Sequence, residues 1–206
     1  FLAERSAASA VTSDPAPLDR VLIARSSAQD RLLEINRALN STLDLHSQLQ
    51  ILLDTAIELT GAERGFVLLQ EGQSEAVELA RGSGGSDLVG GDREFSRGIA
   101  RQVMQDGQPL LTVDAQSDER LAASASIHSL RICAVLATPL RVRGIIAGAL
   151  TLDSRQAGAP FDASALDLLS KLSEQAGIAL ANSRLVEQLK RQAEEISRLN
   201  ERLSQT

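Results

Sequence analysis

From Asp162 onward the chain carries one unbroken helical pattern whose apolar stripe changes width, and that change restricts the fold more than any other feature. Leu166, Leu169, Leu172, Ala176 and the Ala179/Leu180 pair make a broad stripe of the kind that covers a sheet. From Ile178 the stripe narrows to Ile178, Asn182, Leu185, Leu189, Gln192, Ile196, Leu199 and Leu203, with gaps alternating between four and three. Glu187, Lys190, Arg191, Glu194 and Arg198 lie outside this seam, as in a coiled coil. One helix is thus expected to cover a sheet and then to zip to a second helix. Asn182 occupies a seam position, where a buried Asn fixes register and dimer state; exposure at the domain edge is the alternative reading.

The sheet announces itself in two long apolar runs, Ile132–Val142 and Ile145–Asp153, separated by Arg143-Gly144, a strong hairpin signal. Ile132, Ala134, Leu136 and Leu140 alternate with Cys133, Val135 and Ala137, so both faces of the first run are apolar and a doubly covered sheet is implied. Ala147, Gly148 and Ala149 are small, which admits a close neighbour. Upstream, Asp44 is placed to cap a helix whose apolar face is Leu45, Leu49, Leu52, Leu53, Ala56 and Ile57, with Gly61 at its left-handed end. Gly65–Gln70 and Ala76–Arg81 read as strands joined by a turn at 71–74, followed by a glycine-rich loop over Gly82–Asp92. Ser96 reads as the cap of a short helix with Ile99, Val103 and Met104 facing inward and Gly107 closing it, and Pro109–Val113 as a short strand. Residues 114–130 carry no assignable period. The expected organisation is therefore a linker over 1–20, a helix over 21–43 (seam Ala28, Leu32, Ile35, Leu39), a domain over 44–183 and a coiled-coil helix over 184–206. Opening on Phe1, with an Ala/Ser-rich stretch holding two prolines, the chain is expected to be a segment of a larger protein.

Composition removes several classes of function. A net charge of −6 speaks against a nucleic-acid surface, which needs clustered Lys and Arg. One cysteine, Cys133, excludes an internal disulfide and a cysteine-based zinc site, and fits a reducing cytoplasm. No stretch has the roughly 18 apolar residues of a membrane helix, and no signal-peptide pattern opens the chain. Reactive side chains do not converge. His128 lies five residues before Cys133, which invites a Cys–His reading, yet a thiol inside an aliphatic strand is ordinarily a small hydrophobe. His46 falls in the first turn of an amphipathic helix and reads as solvent-exposed. The Gly82–Gly91 loop lacks the Lys-Ser/Thr ending of a phosphate loop. Gly90-Gly91-Asp92-Arg93-Glu94-Phe95 mimics the GGDEF signature of diguanylate cyclases, but Arg93 interrupts it. Asp114, Asp118 and Glu119 read as residues bonding their own backbone rather than as cation ligands.

Several segments, in order, resemble the GAF family of small-molecule-sensing domains. They are Ala62-Glu63-Arg64-Gly65-Phe66-Val67-Leu68-Leu69, Phe95-Ser96-Arg97-Gly98-Ile99-Ala100 and Leu136-Ala137-Thr138-Pro139-Leu140, then Gly144 through Ser154, and finally Phe161-Asp162 with Gln175-Ala176-Gly177-Ile178-Ala179-Leu180. The resemblance implies an α+β fold with an antiparallel sheet of about six strands, the first and last helices on one face and a lid over a pocket on the other. It is closest to modules of bacterial enhancer-binding transcription activators and sensor kinases, often found after a forkhead-associated domain. Cyclic-nucleotide-binding members carry Asn-Lys where this chain has Asp153-Ser154-Arg155; bilin-binding members place a cysteine in the lid; methionine-sulfoxide-reducing members use several cysteines. None of these patterns is matched.

The implied role is a non-catalytic sensory module. A small molecule or partner at the lid face shifts dimeric terminal helices and, through them, a covalently linked output domain, without touching nucleic acid or membrane. A purely structural dimerisation module is the rival reading, and an enzyme a more distant third. The expected ligand-binding residues, chosen by position, are Phe95, Ile127, His128, Arg131 and Cys133, with Arg131 the candidate for an anion.

Overall fold

The computed structural model describes residues 44–71, 74–90, 94–121, 125–158 and 161–204. The readings for 1–20 and 21–43 lie outside the described residues. Helix α1 (Leu45–Thr60) begins where the Asp44 carboxylate accepts from the Ser47 backbone N–H at 2.9 Å. It ends on Gly61, whose φ of 67° is the left-handed stop that glycine takes without cost. Strands β1 (Arg64–Glu71) and β2 (Ser74–Gly82) form the first hairpin, each slightly longer than its apolar run because the backbone ladder continues past it.

A short strand β3 (Ser86–Asp87) corrects the expectation of an irregular loop over 82–92: Gly84 and Gly85, both with positive φ, turn the chain back onto the edge of β2. The Arg81 guanidinium holds that return, donating to the Gly85 carbonyl and to Asp87 while pairing with Asp54 of α1. Helix α2 (Arg97–Asp106) closes on Gly107 as expected. Ser96 sits at its N-cap, but the hydroxyl bonds the Ser126 hydroxyl at 2.9 Å instead of capping the helix. Strand β4 (Leu110–Thr112), a 3-10 turn (Glu119–Leu121) and the five-residue helix α3 (Ala125–Ser129) follow. Strands β5 (Ala134–Val142) and β6 (Ile145–Ser154) form the expected hairpin, with Arg143 and Gly144 both at positive φ as a primed turn requires.

The six strands make one antiparallel sheet in the order β3-β2-β1-β6-β5-β4. On one face lie α1 and the final helix α4 (Ala163–Ser204). Gly65 admits Leu53 and Ile57 of α1, which an added Cβ would meet at 2.7 and 3.1 Å. The close neighbour of Gly148 is the β1 backbone: a Cβ there would stand 1.9 Å from the Leu68 carbonyl oxygen. The tightest helix–sheet approach is at Gly177, where a Cβ would fall 2.0 Å from the Arg141 carbonyl oxygen. Beside it the Ser173 hydroxyl donates to the Pro139 carbonyl at 2.9 Å, so α4 is hydrogen-bonded to β5 as well as packed on it.

Helix α4 is one element of 42 residues that changes role along its length. Leu169, Leu172, Ala176, Ala179 and Leu180 are buried on the domain. Ile178, Leu185, Leu189, Ile196 and Leu199 are all at least 40% exposed, so the seam is uncovered in the single chain; Val186 beside it is exposed too. Asn182 is exposed along with it. Its surface pair Arg191–Glu187 (2.6 Å) lies outside the seam, as the charge pattern requires.

Substituting Gly177→Ala tests the close approach. Ala favours a helix interior by about 1 kcal/mol over Gly, yet the backbone oxygen cannot yield as a side chain would. The expected result is a net loss of about 1–3 kcal/mol in urea unfolding, from overpacking; a more stable variant would place the helix farther from β5.

Candidate functional site

The face of the sheet away from α1 and α4 is covered by the segment from β3 to α3, the lid. Two apolar clusters fasten it. Phe66, Leu68, Ala80 and Ala149 of the sheet hold Phe95 and Ala100, with the Phe66 and Phe95 rings 5.2 Å apart. Val135 and Ala137 of β5 hold Ile99, Val103, Leu110, Leu121 and Ile127. Alternation supplies the sheet side of both clusters: Val135 and Ala137 of β5 and Ala149 of β6 point to the lid, with Thr151 and Asp153 as the polar exceptions.

Polar contacts position the lid's irregular stretches. Arg64 of β1 and Asp153 of β6 are both buried and form a bidentate pair, Nε to Oδ1 and Nη2 to Oδ2, each 2.7 Å. Burial pushes the Asp153 carboxyl above its ordinary range, with the hydrogen bonds and charge of Arg64 pulling the other way. The remaining Arg64 nitrogen donates to the Glu94 carbonyl at 3.0 Å, so the pair also grips the start of the lid. Gln116 pins the other end: its amide nitrogen donates to the Ile127 and Ile132 carbonyls at 3.0 and 2.8 Å. Nothing in the sequence distinguishes this glutamine from a surface one. Asp118 accepts from the guanidinium and backbone of Arg120, whose hydrogen bonds hold its carboxyl well below the usual range; of the three acidic residues here, Asp118 is the one shown bonding nearby backbone. Among the described residues no three His, Cys, Asp or Glu side chains gather as a metal site would need.

Between lid and sheet the described residues Ser96, Ile99, Ile132, Val135, Thr151 and Asp153 line a void of about 10 Å³. That is room for roughly one water, not for an organic ligand. The Thr151 hydroxyl beside it is buried without a hydrogen-bond partner.

The five residues chosen by position are distributed as follows. Ile127 is fully buried in the second cluster. Phe95 belongs to the first, and its outer edge opens on a surface cleft of about 500 Å³ shared with Glu94, Arg97 and Leu130. The Arg97 guanidinium lies over the Phe95 ring at 5.8 Å. His128 is exposed, its Nδ1 2.9 Å from the Gln116 side-chain oxygen. Arg131 is exposed with φ 56°. Cys133 is half-buried, its thiol donating to the Arg155 carbonyl at 3.2 Å. The clefts described on the lid bring none of the other four to Phe95, and His128 and Cys133 engage different partners.

Comparison with known proteins agrees with this architecture. The profile of the GAF domain matches residues 44–180, more than half of the chain. The GAF domain from Acinetobacter phosphoenolpyruvate-protein phosphotransferase superposes with a TM-score of 0.61 at 21% identity, covering 78% of this chain and 96% of that one. Residues 122 to 287 of a methyl-accepting chemotaxis protein superpose at 0.58 with 17% identity, covering 74% and 98%. The free methionine-R-sulfoxide reductase from Neisseria meningitidis, solved with its substrate, superposes at 0.59 with 20% identity, covering 75% and 89%.

The Arg64–Asp153 pair yields a prediction. Arg64→Leu leaves a buried carboxylate alone and is expected to cost about 3–5 kcal/mol in urea unfolding, whereas Arg64→Leu combined with Asp153→Leu recovers most of that loss. Equal losses from the single and double variants would show that the two charges are not coupled.

Proposed function

This chain belongs to the GAF domain family, and from that premise we propose that it is a non-catalytic regulatory module that passes a signal along dimeric α4 helices to a covalently linked output domain. The observation that carries this reading is the seam. A helix that seals one face of the domain leaves five large apolar seam side chains in the open, Ile178, Leu185, Leu189, Ile196 and Leu199, and a second copy is the partner whose spacing matches. The seam is self-complementary in one arrangement. In a parallel, in-register pair Asn182 meets its twin, Gln192 meets its twin, and every leucine meets a leucine. An antiparallel pair that matches Asn182 to Gln192 instead sets Leu199 against Gln175, on the flank of the domain. The parallel dimer therefore satisfies both amides without stranding a leucine.

Sensory context comes from likeness alone: one structural neighbour is part of a methyl-accepting chemotaxis protein. The non-catalytic reading rests on the chain's chemistry. Another neighbour is a sulfoxide reductase, but here Cys133 is the one cysteine and no second thiol stands in the sequence to resolve an oxidised sulfur. The rival reading, a dimerisation module without a ligand, is favoured by one specific observation: the void lined by Ile99, Ile132 and Val135 has room for about one water.

Sedimentation and crosslinking test the proposal together. In a Cys133→Ala background, Leu189→Cys and Ile196→Cys, each alone, are expected to give disulfide-linked dimers on oxidation. Leu189→Asp with Ile196→Asp is expected to give a monomer whose domain still unfolds cooperatively. A wild-type chain that sediments as a monomer at high concentration would remove the relay.

A further inference from the structure

Organic-sized clefts open on both sides of the sheet, one at Phe95 on the lid and others beside α4. A cleft of about 490 Å³ opens between α4 and the far half of β5, next to the loop that closes α2. It has the capacity of a small-molecule site. Its walls are apolar, formed by Pro109, Pro139, Ile178 and Ala181. In its lining stands Thr138, 1% exposed, whose hydroxyl has no hydrogen-bond partner. A buried hydroxyl left unpaired is costly; this oxygen is sealed just behind the cleft wall, and it gains a partner when an occupant shifts that wall.

Two cations stand at the rim. Arg141 is held in place, donating to the Gly107 carbonyl at 2.9 Å and to the Gly144 carbonyl at 3.4 Å. Arg143, in the hairpin turn with φ 52°, has no hydrogen bond or ion pair among the described residues. Glu174 of α4 faces them across the cleft. The local balance is one positive charge, which favours a monoanion over a phosphate dianion in this acidic protein.

We propose that this cleft binds a small organic monoanion with an apolar body, of the medium-chain carboxylate class, with Arg143 and Arg141 taking the carboxylate and Thr138 supplying the buried hydrogen bond. The site lies beside α4 where Gly107 and Pro109 lead into β4, and none of the residues expected from sequence belongs to it. Ile178 is at once a wall of the cleft and the first residue of the coiled-coil seam. An occupant therefore touches the helix that leaves the domain. The binding site stands by itself; its role as an effector site rests on the relay proposed above.

Sodium octanoate serves as the probe, titrated into the whole chain by calorimetry and by amide NMR. Saturable binding is expected, with shifts concentrated at 138–143 and 170–181. Thr138→Val and Arg143→Glu are each expected to weaken it by about tenfold, the value of one good hydrogen bond to a charged group. Thr138→Val is also expected to raise the Tm of the free protein, because an isosteric methyl replaces an unpaired buried hydroxyl, so weaker binding in that variant is not a folding defect. Arg97→Ala, on the lid, is expected to leave the affinity unchanged. Absence of binding, undiminished wild-type affinity in both Thr138→Val and Arg143→Glu, or shifts confined to the lid would overturn the site. A dimer that does not bind octanoate defeats this inference alone; a monomer that binds it defeats the relay and leaves the site standing.

Discussion

The contact between Gly177 and the Arg141 carbonyl governs how the rest of the described structure is built. With a Cβ excluded at that position, the backbone of α4 lies directly on β5, and the Ser173 hydroxyl closes the remaining distance with a hydrogen bond to Pro139. Rigid attachment at that point makes the exposed half of the helix a lever with a defined root. Protein interiors are close-packed and do not deform continuously. A helix seated this way tilts or rotates as a body, carrying its seam with it.

The lid is fastened by a different balance of forces. Burying Arg64 and Asp153 costs more in lost hydration than their attraction alone returns, and the bidentate geometry with the extra bond to Glu94 is what makes the pair tolerable there. What that arrangement adds is direction: the pair fixes where the lid begins, and Gln116 fixes where it ends. Between these pins the two apolar clusters supply the cohesion.

The sequence was informative wherever a period ran long enough to be read. Helix α1 with its Asp44 cap and Gly61 stop, the β5–β6 hairpin and the two widths of the α4 stripe were all legible, since each spans several repeats of its own geometry. The lid was not, because Glu119–Leu121 and Ala125–Ser129 are shorter than the repeat that would reveal them. The two-residue strand β3 depends on a long-range grip by Arg81, which no local pattern announces. Site residues were the least legible. Position in the chain picked out Phe95 and Cys133, while Thr138, inside an apolar strand, reads as an ordinary β-former. Its unpaired hydroxyl is a property of what surrounds it in space. Arg143 likewise reads as a turn residue, and its bearing on α4 comes from the hairpin reaching that helix.

A signal requires an occupant that prefers one helix arrangement over another, because a ligand with equal affinity for both shifts nothing. A molecule beneath the lid would have to displace two apolar clusters and then act through the sheet before α4 felt it. A molecule in the helix-side cleft meets α4 directly, at Glu174, Ile178 and Ala181. Any movement of Ile178 there changes the first layer of the seam, and coiled-coil layers are coupled in register from one to the next. The short route from cleft to seam is thus built from residues that already serve two purposes. The energy for transmission is the difference in how the apolar wall and the rim arginines fit the occupant in each helix position.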